Sequence, residues 1–145
     1  MSEKVMIWLL FENDGAVLVC RHKPDETPFA GYWTLPGDVM RIDESASETV
    51  KRFGRNELNV EISAEEFVDT FYLQEGSDSF AVTVFKPASF TGNLRYRESG
   101  PYAEASWAVP TELPSPIHAA LAEMLAGKRH WRSSEETGPV SDTSA

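Results

Sequence analysis

The sequence predicts a mixed α+β fold, and three observations lead to that prediction. Runs rich in β-forming residues at 4–11 and 16–22 are joined by Asn-Asp-Gly, residues that tolerate the positive φ angles of hairpin turns. A capping box from Ser45 to Glu48 opens a stretch with apolar residues at helical spacing. Strands rich in aromatic and β-branched residues follow. This order permits a mixed sheet with helices on its faces.

A polar loop contains Pro24 and Pro28, and Leu35-Pro-Gly37 leads into a second loop that ends at Ser45, where the first helix is predicted. This helix begins after Ser45 and ends near Asn59. One side of this helix is expected to carry Ala46, Val50, Phe53, Glu57 and Leu58.

The second half of the chain predicts strands at 67–73 and 80–85 and a shorter one at 105–109. Pro116 is expected in the first turn of an amphipathic helix that Gly127 stops. A second domain is not expected.

The end of the chain changes composition. Beyond Trp131 it becomes rich in Ser, Glu, Thr and Gly, a composition typical of disorder. The sequence therefore predicts a single domain over 1–131 and a disordered C-terminal tail over 132–145.

Composition bounds the class of protein. A hydrophobic content of 41% and a charged content of 25% are typical of a globular chain. No apolar run approaches the roughly 18 residues that span a bilayer, and the N-terminus lacks a signal-peptide pattern. We therefore expect no membrane partner and a cytoplasmic location. The lone Cys20 is expected to be a small buried hydrophobe.

The net charge of −10 argues against a nucleic acid polymer as partner, because binding a phosphate backbone requires a basic stripe. A small phosphorylated metabolite is compatible with this charge. A few local arginines or a divalent cation can offset the global field.

The segment from Gly37 to Val60 carries the most chemical information. It resembles the Nudix box, G-x5-E-x7-R-E-U-x-E-E-x-G-U with U aliphatic. The positions that match are Glu44, Arg52, Glu57 and Val60. The fixed positions that depart are Asp38, Phe53, Gly54, Asn56 and Asn59.

The flanking segments strengthen this resemblance. Gly31-Tyr-Trp-Thr-Leu-Pro-Gly37 is similar to the family's G-x-W-x-L-P-G lead-in, and residues 8–21 resemble its opening hairpin. Residues 107–113 resemble its closing strand and loop. The resemblance covers roughly 4–127 and implies an α/β/α sandwich with a mixed β-sheet.

The resemblance also implies a metal site. In the family, carboxylates on one face of the box helix bind Mg²⁺ or Mn²⁺, which bridges a substrate diphosphate and activates water. Here that face carries Phe53, Asn56 and Glu57, so its charge falls from about −3 to about −1. The metal-ligand candidates are Glu57 and Asn56. They predict a weak or single Mg²⁺ or Mn²⁺ site, and the alternative is no metal.

The other candidate site residues have different expected roles. The resemblance makes Glu57 and Glu104 the catalytic candidates, with Glu98 competing for the second role. It also implies a box scaffold of Gly37, Glu44 and Arg52, in which the arginine fork clamps the glutamate.

The main candidates for substrate binding are Arg21, Asp38 and Phe53. Arg21 ends a strand and could meet phosphate, as could Arg95 and Arg97 on a later loop. Asp38 could supply a relocated ligand, with a solvated loop aspartate as the alternative. Phe53 could stack on a ligand or pack in the core.

The altered box predicts a divergent Nudix-family protein. It would bind a nucleotide or another small diphosphate-containing metabolite, with slow or altered divalent-metal-dependent pyrophosphohydrolase activity. One alternative is a non-catalytic ligand-sensing or interaction domain that lost its metal site. Another is an enzyme that uses the cavity for non-hydrolytic acid/base chemistry. The resemblance makes a homodimer one possible assembly, because family members are often dimers, and the residues themselves leave the oligomeric state open.

Overall fold

A computed structural model describes residues 3–128 of the chain. Its strands are β1 (Glu3–Leu9), β2 (Glu12–Asn13), β3 (Ala16–His22), β4 (Trp33–Thr34), β5 (Gly37–Val39), β6 (Val60–Glu75), β7 (Asp78–Gly92) and β8 (Tyr102–Ala108). Its helices are α1 (Ala46–Leu58) and α2 (Ala119–Glu123), and α2 continues into a π-helical turn at Met124–Lys128. The predicted α+β class is confirmed. The predicted tail, 132–145, lies outside the described residues.

The strands form two sheets. In the first, the order is β5-β1-β7-β6, with β1 parallel to β7 and the other neighbours antiparallel. The second has the order β2-β3-β4, and β8 also pairs with β3. The mixed sheet predicted from the order of elements is therefore present.

Strand β1 separates two apolar cores. Met6 and Trp8 face one core, which includes Leu121 of α2. Ile7 and Leu9 face the other, which includes Val50 of α1. Side chains alternate between the faces of a strand, so a strand that is covered on both faces reads as a continuous apolar run. The two helices thus lie on opposite faces, as in an α/β/α sandwich.

Helix α1 begins and ends as its local sequence dictates. The Ser45 side chain accepts a hydrogen bond from the Glu48 backbone N–H, and the Glu48 side chain accepts one from the Ser45 backbone N–H. Asn59 ends the helix in the left-handed region at φ 62°. The Nudix pattern has glycine there, and Asn is among the few other residues that adopt this conformation readily.

Gly54 is explained by packing from a neighbouring strand. A Cβ on Gly54 would lie 2.7 Å from Cδ1 of Ile62 in β6. The aliphatic volume that the box pattern places at this helix position is therefore supplied by Ile62.

The last helix begins later than predicted. Pro116 O accepts a hydrogen bond from Trp33 N, and His118 N donates to Trp33 O, which holds this segment extended beside β4. Pro116 therefore precedes the helix, and His118 caps it. Gly127 adopts a φ of 86°, a conformation that stops a helix as expected.

Strands β6 and β7 are longer than the predicted 67–73 and 80–85. Their antiparallel ladder runs from the pair Val60 and Gly92 to the pair Glu75 and Asp78. Most residues at 63–66 and 88–92 are exposed. These parts of the two strands therefore lack the apolar alternation that marks a strand in the sequence.

Candidate functional site

The loop before α1 is held by Arg52. Its Nε and NH2 groups donate to the two carboxylate oxygens of Glu44, and NH1 donates to Oδ2 of Asp38 at 3.0 Å. Only 14% of the Arg52 side chain and 13% of the Glu44 side chain are exposed, so the fork is largely shielded from water. Two of the scaffold candidates and the relocated-ligand candidate Asp38 are thus brought together.

Glu44 is held ionised by this fork. The Arg52 hydrogen bond is the main cause that lowers the pKa of Glu44 to about 2, and the Arg41 backbone N–H and the Thr49 hydroxyl act in the same direction. The loop therefore keeps its charged clamp at any pH near neutrality.

Tyr102 fixes the start of the same loop. This side chain is buried at the beginning of β8. Its hydroxyl accepts a hydrogen bond from Gly37 N at 2.9 Å and donates one to Gly37 O at 3.2 Å. Burial is the main cause that raises the pKa of Tyr102 well above its usual value, so the hydroxyl keeps the proton that it donates.

Tyr102→Phe should lower the free energy of unfolding by about 1–3 kcal/mol, because Gly37 N–H and C=O both lose a buried partner. Urea unfolding would measure this change. Tyr32→Phe is the matched control, because the Tyr32 side chain is partly exposed and should tolerate the loss of its hydroxyl. Equal stability of the Tyr102 variant and wild type would contradict the role given to this hydroxyl.

Phe53 packs inside the protein. It is 2% exposed and belongs to the α1 core, where its ring meets that of Tyr102 edge to face with centroids 6.4 Å apart. The structure therefore favours the core-packing interpretation of Phe53 over stacking on a ligand.

Glu57, the remaining carboxylate of the box face, is bound by an arginine. Arg97 NH2 lies 2.7 Å from Glu57 Oε2, and Arg97 Nε lies 3.3 Å from Oε1. The backbone supports this pairing, because Arg97 N donates to Glu57 O and Arg95 N donates to Leu58 O. These carbonyls end α1 and need partners from outside the helix. The loop before β8 is thereby docked onto the C-terminal turn of the box helix.

A polar cleft of about 720 Å³ opens beside this pair. Three arginines and two glutamates contribute to its lining. The full lining is Arg55, Asn56, Glu57, Asn59, Arg95, Tyr96, Arg97, Glu98 and Ser99. The metal-ligand candidates Asn56 and Glu57 are thus together, and Glu98 reaches the same cleft.

Arg21 and Glu104 lie elsewhere and are paired with each other. They are opposite one another in the ladder of β3 and β8, and Arg21 Nε donates to Glu104 Oε1. The residues that line the Glu57 cleft do not include either of them. The structure therefore does not bring the two catalytic candidates, Glu57 and Glu104, into one site.

The donor set does not fit the family's metal centre. Phe53 offers no ligand atom and is buried, Asn56 offers a neutral amide, and both oxygens of Glu57 accept hydrogen bonds from Arg97. Within residues 3–128, no three His, Cys, Asp or Glu side chains converge as a group that could hold a metal ion. Hard cations require several oxygen ligands.

The alternative of non-hydrolytic acid/base chemistry has little structural support. The carboxylates of Glu57, Asp38 and Glu104 are each ion-paired with an arginine. Cys20 is buried, and burial raises its pKa to about 12, so it is a thiol and not a nucleophilic thiolate near neutral pH.

His22 is a buried polar residue at the end of β3, where its ring contacts that of Tyr102. Thr34 Oγ1 donates to Leu35 O, so its hydroxyl hydrogen is used and His22 Nε2 must be the donor in their 2.8 Å contact. Burial between Phe29 and Tyr102 lowers the pKa of His22 from 6.5 to about 4.

This pKa predicts a loss of stability in mild acid. Between pH 6.5 and about 4 the unfolded chain binds a proton at His22 and the folded chain does not, so the free energy of unfolding falls as the pH falls. The full contribution is about 3 kcal/mol. Urea unfolding at a series of pH values should show this slope. His22→Gln should flatten it, and an unchanged slope in that variant would contradict the assignment.

Sequence reasoning missed two features of the site. Arg97 was one of several candidate phosphate contacts, but its pairing with Glu57 joins residues that are 40 positions apart and has no local signal. Tyr102 was not a candidate, because it lies ahead of the predicted strand at 105–109 and carries no motif of its own.

The fold and the box loop together define a class. A mixed sheet lies between helices, and a Glu44 and Arg52 fork closes the loop that enters α1. A family model described as the NUDIX domain matches residues 2–127. The chain belongs to the NUDIX family.

A known relative matches part of the chain, and two solved structures have a similar fold. Nucleoside triphosphatase NudI of Escherichia coli O139:H28 is 32% identical over 62 residues, which are 43% of this chain and 44% of that protein. The match thus spans less than half the length of this relative. A MutT NUDIX hydrolase from Burkholderia pseudomallei has a TM-score of 0.77 at 22% identity, covering 87% of this chain and 98% of that one. The E. coli ORF135 protein has a TM-score of 0.73 at 20% identity, with coverages of 97% and 96%.

Within residues 3–128, no helix has both the length and the apolar character needed to cross a bilayer.

Proposed function

We propose that this NUDIX domain binds a nucleotide or another small diphosphate-containing metabolite and hydrolyses it slowly. One observation carries the proposal: a charged cleft and an apolar cleft adjoin, and Arg95 and Tyr96 line both of them. A ligand with an anionic group and a flat apolar group would be matched by this pair of clefts.

The charged cleft would take the diphosphate. Arg55, Arg95 and Arg97 lie along it, and guanidinium groups match the geometry of phosphate oxygens. The lining carries three arginines and two glutamates, so it does not share the strong negative charge of the whole chain. Arg55 is also paired with Glu61, as Arg97 is with Glu57.

The apolar cleft, about 250 Å³ in volume, would take the base. Trp107 lines it and is 45% exposed, so one part of its ring system is free to stack. Its remaining lining consists of Leu18, Cys20, Leu58, Leu94, Arg95, Tyr96, Ala105 and Ser106.

The residues of the box face support a low rate for this hydrolysis. The loss of a group that acts in the transition state typically reduces a rate by about a hundredfold to ten-thousandfold. Phe53 and Asn56 replace two such groups. The similarity to nucleoside triphosphatase NudI supports nucleoside phosphates as the first ligands to examine.

Trp107→Ala should weaken the binding of nucleoside diphosphates by about 5-fold to 150-fold, because stacking of a base on an aromatic ring contributes about 1–3 kcal/mol. Affinity for inorganic pyrophosphate should be unchanged in this variant. Isothermal titration calorimetry measures both affinities. Tyr72→Ala is the control, since Tyr72 is 76% exposed on β6 and does not line either cleft. Equal loss for both ligands would contradict the base pocket.

A second candidate is a non-catalytic ligand-sensing domain, and the Glu57 to Arg97 pair favours it. An assay of phosphate and pyrophosphate release distinguishes slow hydrolysis from the sensor. Its substrates are nucleoside di- and triphosphates, dinucleotides and sugar nucleotides. Turnover that Glu57→Gln abolishes would support slow hydrolysis. Binding without turnover above background would support the sensor.

A further inference from the structure

The Glu57 carboxylate is already paired with a positively charged side chain, Arg97. In the Nudix box that this segment resembles, the residue at this position binds a divalent metal. Here the Arg97 guanidinium contacts both oxygens of the Glu57 carboxylate. The positive charge is a covalent part of the chain. No exchange with solvent ions is needed to place it.

Arg97 is held in position by several contacts. Its NH1 group donates to Ser99 Oγ at 3.0 Å, its backbone N donates to Glu57 O, and its backbone O accepts from Gly100 N. A Cβ on Gly100 would collide with Glu57 Oε1, so the absence of a side chain there leaves room for the carboxylate. Glu57 thus acts as a positioning residue for Arg97.

Arg97 keeps donors for a ligand. A guanidinium has five N–H groups. Within residues 3–128, contacts to Glu57 and Ser99 use three of them, which leaves one on NH1 and one on NH2. Arg97 also lines the polar cleft, where the exposed Arg95 adds a second guanidinium. This arrangement can bind phosphate oxygens by charge-assisted hydrogen bonds.

We propose that Arg97 replaces the divalent cation, so that this site binds a diphosphate group without metal. The inference rests on the proposed function, because it concerns how the same ligand class is held. Arg97 and Arg95 bind the phosphate oxygens, and Glu57 orients Arg97.

The test is calorimetric titration of the full chain with inorganic pyrophosphate and with ADP, GDP, CDP and UDP, in excess EDTA and in excess Mg²⁺. Binding of one or more of these in EDTA, which Mg²⁺ does not tighten, is the expected result. Arg97→Gln should weaken it at least about tenfold. Arg95→Gln should also weaken it while leaving the Glu57 to Arg97 pair intact.

Lys4→Gln is the matched control. Lys4 is an exposed cation paired with Asp78 at 3.9 Å at the start of β1, so this variant removes the same charge away from the cleft. Its affinity should equal that of wild type. Binding that requires Mg²⁺ would overturn the inference and leave the proposed function standing. No binding of any of these ligands under either condition would contradict the proposed function itself.

Discussion

Phe53→Glu should destabilise the protein by about 4 kcal/mol or more. The substitution restores a carboxylate that the box pattern has at this position, but residue 53 is 2% exposed and lies against Tyr102. The new charge would lose its water shell without a partner, and the core would lose an aromatic ring. Urea unfolding measured by tryptophan fluorescence would give the change.

Phe53→Leu is the control for this experiment. It keeps an apolar side chain in the core and should cost only about 1 kcal/mol. A Phe53→Glu variant that matched Phe53→Leu in stability and gained Mn²⁺ binding would contradict the buried placement of residue 53.

Gly37→Ala should lower the free energy of unfolding by about 3 kcal/mol or more. A Cβ at this position would overlap the carbonyl oxygen of Ile7 and lie 2.8 Å from Cδ1 of Trp8. Strand β1 is paired with both β5 and β7, so its backbone cannot retreat without loss of ladder hydrogen bonds. Thermal and urea unfolding would both report the loss.

Gly76→Ala is the matched glycine control. Gly76 adopts a φ of 64°, and a Cβ there meets open space. This variant should cost about 1 kcal/mol, from backbone strain alone. Equal stability of the Gly37→Ala and Gly76→Ala variants would contradict the close approach of β5 to β1 at Gly37.

The parts of the fold that depend on local signals were predictable. The capping box of Ser45 and Glu48 and the left-handed Asn59 set the ends of α1, and both are visible in the sequence. The start of α2 was not, because Pro116 is held extended by Trp33, which lies far away in the chain. Tertiary hydrogen bonds override a local preference in such a case.

The sequence predicts the ion pair that holds the box loop but not the ion pair made by Glu57. The box spacing indicates that Glu44 and Arg52 meet, and the structure pairs them. The pairing of Glu57 with Arg97 depends on how the loop before β8 docks onto the end of α1, through backbone hydrogen bonds that any residue can make. Side-chain identity therefore carries little information about that contact.

The packing role of Ile62 could not be predicted either, because it also depends on a contact between separate elements. Gly54 appears in the sequence as a defect in the box, because the compensating side chain belongs to the next strand. A single sequence shows the missing volume and not what fills it.

The most direct test of the central claim, that Arg97 occupies the Glu57 carboxylate in place of a metal, is a titration of the ligand-free protein with Mn²⁺ monitored by electron paramagnetic resonance. We expect the signal of free Mn²⁺ to match that of protein-free buffer throughout, because Glu57 is paired and the box face lacks other carboxylates. Saturable Mn²⁺ binding by the wild type that disappears in Glu57→Gln would contradict the account.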